Sequence, residues 1–272
     1  MLTASCVLYN PDSEMLERTL DSLNIAMQRL SRNKVSSMGS PRPSLYIINN
    51  SDTVLCDYYD ENRLTNWDVK ECSNHGNIGY GAGHNLSIRE VESKYHLILN
   101  PDVILDEQSL LKAIQYLDEN PQVVLLSPLS SDPESGQLQY LCKQFPSLAV
   151  LILRFIDNPL FNRLFSPILA RYEERHRIIA NKLFSAEIVS GCFMLFRTDV
   201  LKNLGGFDER FFLYFEDFDL SIRAKRLGDV VYHPGVKIMH YGGGVGRKGW
   251  VHIQQFLRSA KLFFDQYGWK WF

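Results

Sequence analysis

The sequence lacks an excess of either charge and lacks paired cysteine motifs. Its 272 residues carry 29 Lys and Arg against 31 Asp and Glu, for a formal net charge of −2. A general nucleic-acid binder would show a marked basic excess, so that class is excluded. The five cysteines are odd in number, scattered and without a CxxC pair. This argues against a disulfide framework or a zinc site and indicates a reducing compartment.

Long apolar runs are also missing. The longest is LAVLIL, residues 148–153, which is far below the roughly 20 residues needed to cross a bilayer. The first residues, MLTASCVLYN, show neither a basic leader nor a small-residue cleavage site, so a signal peptide is not expected. We therefore expect a cytoplasmic protein, and any contact with the inner face of the membrane would be peripheral.

Short apolar runs alternating with helical patterns are what the sequence does contain. Strands are predicted at 3–9, 45–48, 67–71, 95–99 and 123–126, and the first helix is predicted to follow Asn10 as its cap. The alternation indicates an α/β fold with a doubly wound, mostly parallel sheet. Further strands are predicted at 187–197, 230–233 and 236–240, with a closing helix at 250–267. Because no repeat or linker is visible, residues 1–272 are predicted to form one domain.

Polar clusters follow several of these strands where they end. In doubly wound sheets, ligands bind outside the carboxyl ends of the strands. Asp102 of the NPD sequence follows the strand at 95–99, so its carboxylate would face that crevice. Mg²⁺ and Mn²⁺ prefer oxygen ligands and often bridge one or two carboxylates to substrate phosphates. Asp is also a favoured turn residue, so a plain turn role is the alternative.

A segment rich in glycine and asparagine, SNHGNIGYGAGHN, lies at 73–85, before a helix predicted near 86–92. Its glycines permit a close approach of the backbone to a ligand. The segment is neither GxGxxG nor a P-loop, because GK[ST] is absent. A ligand-binding loop is the favoured interpretation, and an irregular surface loop is the alternative.

The densest acidic cluster is GGFDERFFLYFEDFDL at 205–220, where aromatic residues surround five carboxylates. These are Asp208, Glu209, Glu216, Asp217 and Asp219. Apolar surroundings raise the pKa of a carboxylate, whereas the amino end of a helix lowers it, and a general base needs such a balance. Glu216 and Asp217 point in different directions on a helix, so only one is expected to reach a substrate. The alternative is a helix start whose acids serve the dipole alone.

The segment MHYGGGVGRK, at 239–248, places His240 before a run of glycines and two cations. Imidazole is a suitable further ligand for a metal held by carboxylates. A mobile glycine segment with Arg247 and Lys248 suits a lid that closes over a diphosphate. A purely structural His240 is the alternative, as it is for the other histidines.

Together these segments resemble the family 2 glycosyltransferases of the GT-A fold, and within them the rhamnosyltransferase-like group. The resemblance rests on six stretches in order: SCVLYN, IINNSD, NHGNIGYGAGHN, LILNPDV, SGCFMLFR and GGFDERFFLYFEDFDL. It implies a GT-A type, Rossmann-like sheet in which residues 1–130 bind the nucleotide sugar and residues 131–272 bind the acceptor.

The resemblance also implies roles for individual residues. Donor binding is implied for Tyr9, Asn10, Asn49, Asn77, Gly79, Asn100, Asp102, Arg247 and Lys248. Asn49 stands where the family often has an Asp that contacts the base, and Asn100 replaces the first acid of the family's DXD motif. Asp102 and His240 would hold the Mg²⁺ or Mn²⁺ ion. Asp217 would be the catalytic base, with Glu216 beside it.

The reaction implied is transfer of a sugar, L-rhamnose from dTDP-L-rhamnose by resemblance, to a hydroxyl of a bacterial cell-surface glycan or lipid-linked acceptor. The basic and aromatic stretch 148–182 would touch that acceptor at the membrane surface, or would merely cover the sheet. Two other functions are the alternatives. A non-catalytic nucleotide-sugar-binding protein has no need of Asp217, and a metal-dependent nucleotidyltransferase would carry a glycine- and lysine-rich first turn, which is absent.

Overall fold

The computed structural model of the chain describes residues 1–33, 42–54, 59–155, 164–242 and 249–272. Its strands fall in two sheets, a large central one and a small one of two strands. The strands are β1 (Leu2–Leu8), β2 (Ser44–Asn49), β3 (Asp68–Cys72), β4 (Tyr95–Leu99), β5 (Val103–Leu105), β6 (Val123–Ser131), β7 (Leu138–Gln139), β8 (Cys142–Lys143), β9 (Phe184–Ser185), β10 (Ile188–Val189), β11 (Phe193–Arg197) and β12 (Asp229–His240).

Helices cover both faces of the central sheet. They are α1 (Ser13–Asn33), α2 (Tyr80–Glu90), α3 (Ser109–Glu119), α4 (Leu148–Phe155), α5 (Ser166–Tyr172), α6 (Arg175–Ile179), α7 (Thr198–Asn203), α8 (Glu216–Lys225) and α9 (Trp250–Tyr267). Among the described helices, none combines the length and the apolar content needed to cross a bilayer.

The central sheet has the order β3-β2-β1-β4-β11-β6-β12-β5, with β7 beside β6 and β9 beside β12. Strands β3, β2, β1 and β4 are parallel to one another. Only β11 and β5 run against the rest of the eight strands in that order, because β12 is parallel to β6. The predicted α/β class with a mostly parallel sheet is confirmed.

The core lies on both sides of the sheet, which explains the continuous apolar runs of its strands. Every residue of β1 is buried. Along β4, Leu97 and Leu99 pack on the face covered by α1, whereas Ile98 packs on the opposite face with Leu220 of α8. The alternation follows from the period of two in a strand. The carboxyl ends of the strands are thereby held rigidly at one edge.

The predicted cap of the first helix was wrong by two residues. Asp12, rather than Asn10, caps α1, since its Oδ1 accepts a hydrogen bond of 2.9 Å from the backbone N–H of Met15. Asn10 takes a left-handed conformation, with φ of 46°, and its own N–H donates to Ser51 Oγ at 2.6 Å. The residue therefore links the loops that follow β1 and β2.

The helix after the glycine segment begins earlier than predicted, at Tyr80, so Gly81 and Gly83 lie inside α2. A Cβ at Gly81 would lie 2.8 Å from Phe207 Cβ, and one at Gly83 would lie 2.9 Å from Val7 Cγ2. These glycines therefore allow α2 to pack closely against its neighbours. The interpretation of the whole segment as a loop was wrong for its second half.

Two strand predictions in the second half also need correction. The segment predicted as one strand at 187–197 is broken at residues 190–192, so that β10 and β11 belong to different sheets. Conversely, the two strands predicted at 230–233 and 236–240 are one strand, β12, with a register shift between His233 and Lys237. The irregularity absorbs Pro234 and Gly235, which cannot continue a regular ladder of hydrogen bonds.

Candidate active site

The turn between β4 and β5 carries the first group of candidate residues. Asn100 donates its backbone N–H to the carbonyl oxygen of Cys192 at 2.9 Å. Two residues later, Asp102 accepts through its backbone oxygen a hydrogen bond of 3.0 Å from the N–H of Tyr241. That bond continues the pairing of β5 with the end of β12, where His240 lies opposite Val103. Two distant parts of the chain meet here.

The pairing brings Asp102 and His240 together, as the sequence predicted for a metal site. The Nε2 atom of His240 lies 3.4 Å from Oδ1 of Asp102, and both side chains are partly buried. The side-chain oxygen of Asn100 is buried and has no hydrogen-bond partner among the described residues. A carboxylate, an imidazole and an unsatisfied amide oxygen suit a hard divalent cation.

These residues fit a metal ion that a phosphate ligand completes. In the described parts of the chain, no group of three or more His, Cys, Asp or Glu side chains is placed so that it could hold a metal ion by itself. Mg²⁺ is commonly bound by one or two carboxylates together with substrate phosphates, rather than by a cage made wholly of protein. The arrangement therefore fits a cation that arrives with a diphosphate. The predicted cations Arg247 and Lys248 lie outside the described residues.

The loops after β1 and β2 form the side of the crevice predicted to take the nucleotide. Tyr9 is 60% exposed, so its ring is free to stack on a planar ligand. Asn49, in contrast, is 2% exposed. Its side-chain nitrogen donates to Thr53 O at 2.7 Å, and its oxygen accepts from Ser51 N at 3.0 Å. Asn49 thus shapes its own loop, and its contact with a base stays a prediction.

The neighbouring Asn50 organises the glycine segment, a role that the sequence analysis missed. Its Nδ2 donates to Gly79 O at 3.0 Å, and its Oδ1 lies 3.0 Å from His75 Nε2. Asn77 Oδ1 in turn accepts from Gly79 N at 3.1 Å. The available signal was the second asparagine of NNSD, which directly follows β2. Asn77 and Gly79 therefore occupy an ordered loop at the strand ends.

Gly79 cannot be replaced without moving the chain. Its φ of 93° is disfavoured for other residues, and a Cβ there would lie 2.5 Å from the carbonyl oxygen of Phe212. The same oxygen accepts a hydrogen bond from Tyr80 N at 3.0 Å. The start of α2 is therefore fixed directly against the acidic and aromatic segment 205–220.

Three of the five acids in that segment stabilise the fold. They form these contacts: Asp208 with Arg210 at 2.6 Å, Glu209 with Asn85 at 2.9 Å, and Asp219 with Arg223 at 2.6 Å. Asp219 is fully buried and also accepts a hydrogen bond of 2.6 Å from Tyr267, so it joins α8 to α9. Glu216 and Asp217, in contrast, form no salt bridge among the described residues.

Asp217 is bonded to the break between β10 and β11. Its Oδ2 accepts a hydrogen bond of 2.9 Å from Gly191 N, and its Oδ1 accepts one of 3.0 Å from Phe218 N. Burial raises the pKa of Asp217, while the Gly191 N–H and the charge of Lys143 hold that rise back. The carboxylate is therefore more basic than a solvated Asp, which suits a general base.

Glu216 is the more buried of the two adjacent acids. Its side chain is buried, and its Oε2 has no hydrogen-bond partner among the described residues. Burial, and then the charge of Asp217, raise the pKa of Glu216 well above its ordinary value, which favours its neutral form. The catalytic roles of Asp217 and Glu216 stay predictions.

The turn before α8 determines where Glu216 and Asp217 lie. Tyr214 and Phe215 both take left-handed conformations, with φ of 70° and 67°, which cost roughly 1–3 kcal/mol each in residues other than glycine. Phe215 is buried, with ring centroids 5.2 Å from Phe263 and 5.1 Å from Phe256 of α9. Packing against α9 thus offsets the strain and fixes the first turn of α8 at the crevice.

The break between β10 and β11, residues 190–192, joins the two groups of acids. Gly191 N donates to Asp217, and Cys192 O accepts from Asn100 N, both at 2.9 Å. Burial raises the pKa of the Cys192 thiol to about 12, and the charges of both Asp102 and Asp217 add to this rise. Through these two hydrogen bonds, the short segment 190–192 links Asp217 to the turn that carries Asp102, and His240 lies beside Asp102.

Known proteins share this sequence pattern. Residues 35–261 match the family model described as "Glycosyltransferase like family 2". An N-acetylglucosaminyl-diphospho-decaprenol L-rhamnosyltransferase of Mycobacterium tuberculosis is 26% identical over 280 residues, which cover 97% of this chain and 83% of that protein. The rhamnosyltransferase WbbL of Escherichia coli K12 is 27% identical over 177 residues, which cover 61% of this chain and 62% of that protein.

Solved structures share the fold. GalNAc-T7 with UDP, GalNAc and Mn²⁺ matches 98% of this chain and 49% of its own, with a TM-score of 0.64 and 12% identity. TarS 1–349 of S. aureus with UDP-GlcNAc and the mannosyltransferase PcManGT of Pyrobaculum calidifontis with GDP-Man and Mn²⁺ give TM-scores of 0.60 and 0.58, each at 15% identity. Both cover 96% of this chain and 64% of their own, so this chain spans less than two thirds of all three. The expected GT-A fold is confirmed.

Proposed function

The chain belongs to the glycosyltransferase like family 2, and on that premise we propose that it transfers L-rhamnose from dTDP-L-rhamnose to a hydroxyl of a lipid-linked acceptor. It is a glycosyltransferase, and the relatives reported above are named rhamnosyltransferases, as the resemblance in its sequence predicted. The sugar and the lipid-linked acceptor are taken from those names, and the nucleotide comes from the resemblance. An N-acetylglucosaminyl diphospholipid is the acceptor that the mycobacterial relative's name supplies.

One observation supports the proposal most strongly. The carboxylate of Asp217 is held by the N–H of Gly191, and the next residue, Cys192, is bonded to the turn that carries Asp102. This arrangement supports a base for the acceptor and a site for the donor diphosphate at a set spacing. Such fixed placement of two reacting partners is a main source of catalytic rate.

The chemical step follows from this placement. The acceptor hydroxyl loses its proton to Asp217 as its oxygen attacks the anomeric carbon of the donor sugar. The bond from that carbon to the diphosphate oxygen breaks, and the nucleoside diphosphate leaves from the opposite face, which inverts the configuration. Burial raises the pKa of Glu216 beside Asp217, which favours its neutral form and limits the negative charge in the site.

Asp102 and His240, with the buried oxygen of Asn100, are the residues that would hold Mg²⁺ or Mn²⁺. When bound, the ion would offset the charge that develops on the departing diphosphate. Asn77 and Gly79 would line the donor sugar and Tyr9 the base, while Arg247 and Lys248 stay predicted partners of the diphosphate. In this proposal the donor residues come from 1–130 and the base from 131–272, except that His240, Arg247 and Lys248 of the second half belong to the donor side.

The acceptor would be met at the membrane's inner face, where we propose peripheral contact by the cytoplasmic protein. The stretch 148–182 carries exposed apolar side chains beside basic ones. Ile152 of α4 is 58% exposed and Leu164 is 70% exposed, and Arg171 of α5 is also exposed. Apolar groups that enter the lipid boundary and cations that meet anionic headgroups give reversible binding to a membrane surface.

The proposal is tested by ligand binding and then by turnover. Purified protein is heated with dTDP-L-rhamnose, dTDP-glucose, UDP-GlcNAc and GDP-mannose, each with and without Mn²⁺. A ligand that binds only the folded state raises the melting temperature, so we expect the largest rise with dTDP-L-rhamnose and Mn²⁺. Transfer to N-acetylglucosamine linked by diphosphate to farnesol is then followed by chromatography. A rise only with UDP-GlcNAc or GDP-mannose would overturn the donor assignment.

A further inference from the structure

Lys143 is a cation of the acceptor half that the mechanism has not used. It lies on β8, where its register partner on β10 is Ile188, shortly before Gly191. Its Nζ donates one hydrogen bond, 3.0 Å long, to the carbonyl oxygen of Tyr140. Within the described part of the chain, no carboxylate forms an ion pair with it. An ammonium has three donors, so two are left to meet a ligand.

Arg154, at the end of α4, lies on the same side of the site. Its guanidinium is 5.7 Å from the ring centroid of Tyr172, and its Nε is 3.7 Å from Oε1 of Glu173. Glu173 makes a closer ion pair with Arg175, at 2.7 Å. One carboxylate is therefore shared by two arginines, and the charge of Arg154 is only partly compensated.

Acids lie nearby as well, since Gln144 bonds to Glu174 and Phe145 N bonds to Glu187, but none of them forms an ion pair with Lys143 in the described part of the chain. The N–H of Gln144, the residue after Lys143, donates to the carbonyl oxygen of Tyr172 at 2.8 Å, and the guanidinium of Arg154 lies over the ring of the same Tyr172. Burial, followed by the charge of Arg154, lowers the pKa of Lys143 to about 8. Near neutral pH most of Lys143 is still protonated. Keeping like charges in partly buried surroundings is unfavourable unless an anion offsets them. A lysine beside an arginine is a frequent recognition device for phosphate.

Lys143 stands on the small sheet of β8 and β10, whereas Asp102 and His240 stand at the pairing of β5 with β12. Ser190 donates its N–H to the carbonyl oxygen of Leu141 at 2.9 Å, and the next residue, Gly191, holds Asp217, so the segment that carries Lys143 lies beside the proposed base. Asp217 receives the acceptor's proton in the proposed reaction. In that reaction the acceptor sugar places one hydroxyl at Asp217. The phosphate on its anomeric carbon then lies on the other side of the same sugar ring.

We propose that Lys143 and Arg154 form a binding site for the phosphate that joins the acceptor sugar to its lipid. The inference rests on the proposed function and deepens it, because it assigns residues to the charged linkage of the acceptor. The site selects acceptors that carry an anion next to the sugar over neutral glycosides of the same sugar.

The test compares two acceptors that differ in this anion: N-acetylglucosamine linked by diphosphate to farnesol, and the neutral octyl glycoside of N-acetylglucosamine. For Lys143→Met we expect KM for the diphosphate acceptor to rise roughly ten- to hundredfold, as for loss of a hydrogen bond to a charged group. KM for the octyl glycoside and for the donor should change less than about twofold. Arg154→Gln should act in the same direction, and Lys70→Met, an exposed lysine on β3, is the matched control.

A direct measurement separates this inference from the donor assignment. The acceptor, N-acetylglucosamine linked by diphosphate to farnesol, is titrated calorimetrically into protein without any donor. It should bind Lys143→Met more weakly than the natural protein. This holds whichever nucleotide sugar the enzyme uses, so a wrong donor leaves the result unchanged. Binding to Lys143→Arg, which keeps the charge, should stay within a few fold. Lys143→Arg is used in place of Lys143→Met if circular dichroism shows that Lys143→Met does not fold.

Three outcomes would overturn the inference. A rise in the donor's KM with Lys143→Met would assign the lysine to the donor diphosphate. An equal fall in kcat with both acceptors would mean that it acts only through the charge of Asp217. Unchanged binding and unchanged KM in both Lys143→Met and Arg154→Gln would show that the two cations bind no acceptor phosphate.

Discussion

The two sides of the cleft are built in different ways. The rim proposed to bind the donor, called the donor rim, comprises Asn100, Asp102 and His240 and stands on strand ends and on the pairing of β5 with β12. The rim proposed to bind the acceptor, called the acceptor rim, comprises Lys143, Gly191 and Asp217 and stands on a two-stranded sheet and the first turn of α8. The donor rim is thus an extension of the main sheet, whereas short elements that depend on tertiary packing hold the acceptor rim.

This difference has a functional consequence. A rim fixed by the main sheet suits the part of the reaction that varies least, the diphosphate and its cation. A rim made of short elements, such as β8 and the helices that carry Arg154 and Glu173, can change shape without disturbing the sheet. Loops and short elements held on a rigid scaffold are where binding specificity commonly varies.

The sharpest test of the comparison is Asp217→Asn, which alters the acceptor rim alone. Asparagine cannot accept the proton, so we expect transfer to fall by about 10³-fold, within the usual range for loss of general base catalysis. Binding of dTDP-L-rhamnose, measured by calorimetry with Mn²⁺, should stay within about twofold. Asp208→Asn, a change at a surface acid of the same segment, is the control. Near-normal transfer by Asp217→Asn would remove the base from the mechanism.

Asp102→Asn is the complementary change, because it alters the donor rim alone. It removes the one carboxylate near His240, so we expect the Mn²⁺-dependent affinity for dTDP to fall roughly ten- to hundredfold, or about 1.4–2.8 kcal/mol. Calorimetry with dTDP at fixed Mn²⁺ measures this, with Asp106→Asn, an exposed acid nearby, as control. If dTDP binds Asp102→Asn as tightly as the natural protein, the metal site lies elsewhere.

The dependence of transfer on pH should distinguish the rims further. With the diphosphate acceptor, kcat/KM should fall as pH rises through about 8, because the pKa of Lys143 is lowered to that value and its charge is lost above it. Arg154, Glu173 and Asp217 are the charged groups that act most on it. One pH unit above the pKa the loss should be about tenfold. The fall should vanish with the octyl glycoside and with Lys143→Met, and its persistence in both would exclude Lys143 as its source.

Glu216→Gln should give the smallest effect, one on stability. Burial raises the pKa of natural Glu216 in the folded state well above 4.5, so between these two pKa values its carboxyl is protonated when folded and ionised when unfolded. Unfolding then releases a proton, so its contribution to stability falls with rising pH, by at most about 1.4 kcal/mol per pH unit, until the folded carboxyl ionises. Glutamine has no such dependence. The melting temperature of Glu216→Gln relative to the natural protein should therefore increase from pH 5 to pH 8, and a constant difference would contradict the buried neutral acid.

Most of the donor rim was predictable from the sequence. Polar residues that follow buried strands mark the ligand edge of a parallel sheet, and this rule pointed to Asp102. The glycine and cation cluster after His240 pointed to that residue, and the pairing of β5 with β12 accounts for the 3.4 Å approach of the two side chains. What the pattern missed was Asn50, since a buried amide that bonds only to backbone and neighbouring loops leaves no periodic trace.

The acceptor rim was less predictable, because its elements are too short to leave a pattern. Strands β8 and β10 have two residues each, so alternation cannot reveal them, and Lys143 gave no signal. The prediction of where α2 begins failed for another reason. Glycine disfavours helices, yet close packing of Gly81 and Gly83 on Phe207 and Val7 outweighs that preference.

The three residues between β10 and β11 set a spacing. Asn100 is bonded to Cys192 and Asp217 to Gly191, so adjacent residues of this segment hold the turn that carries Asp102 and the proposed base. In the proposed mechanism, the distance between the departing phosphate and the proton acceptor therefore depends on this segment. We expect a residue inserted here to move the proposed base away from the proposed diphosphate site.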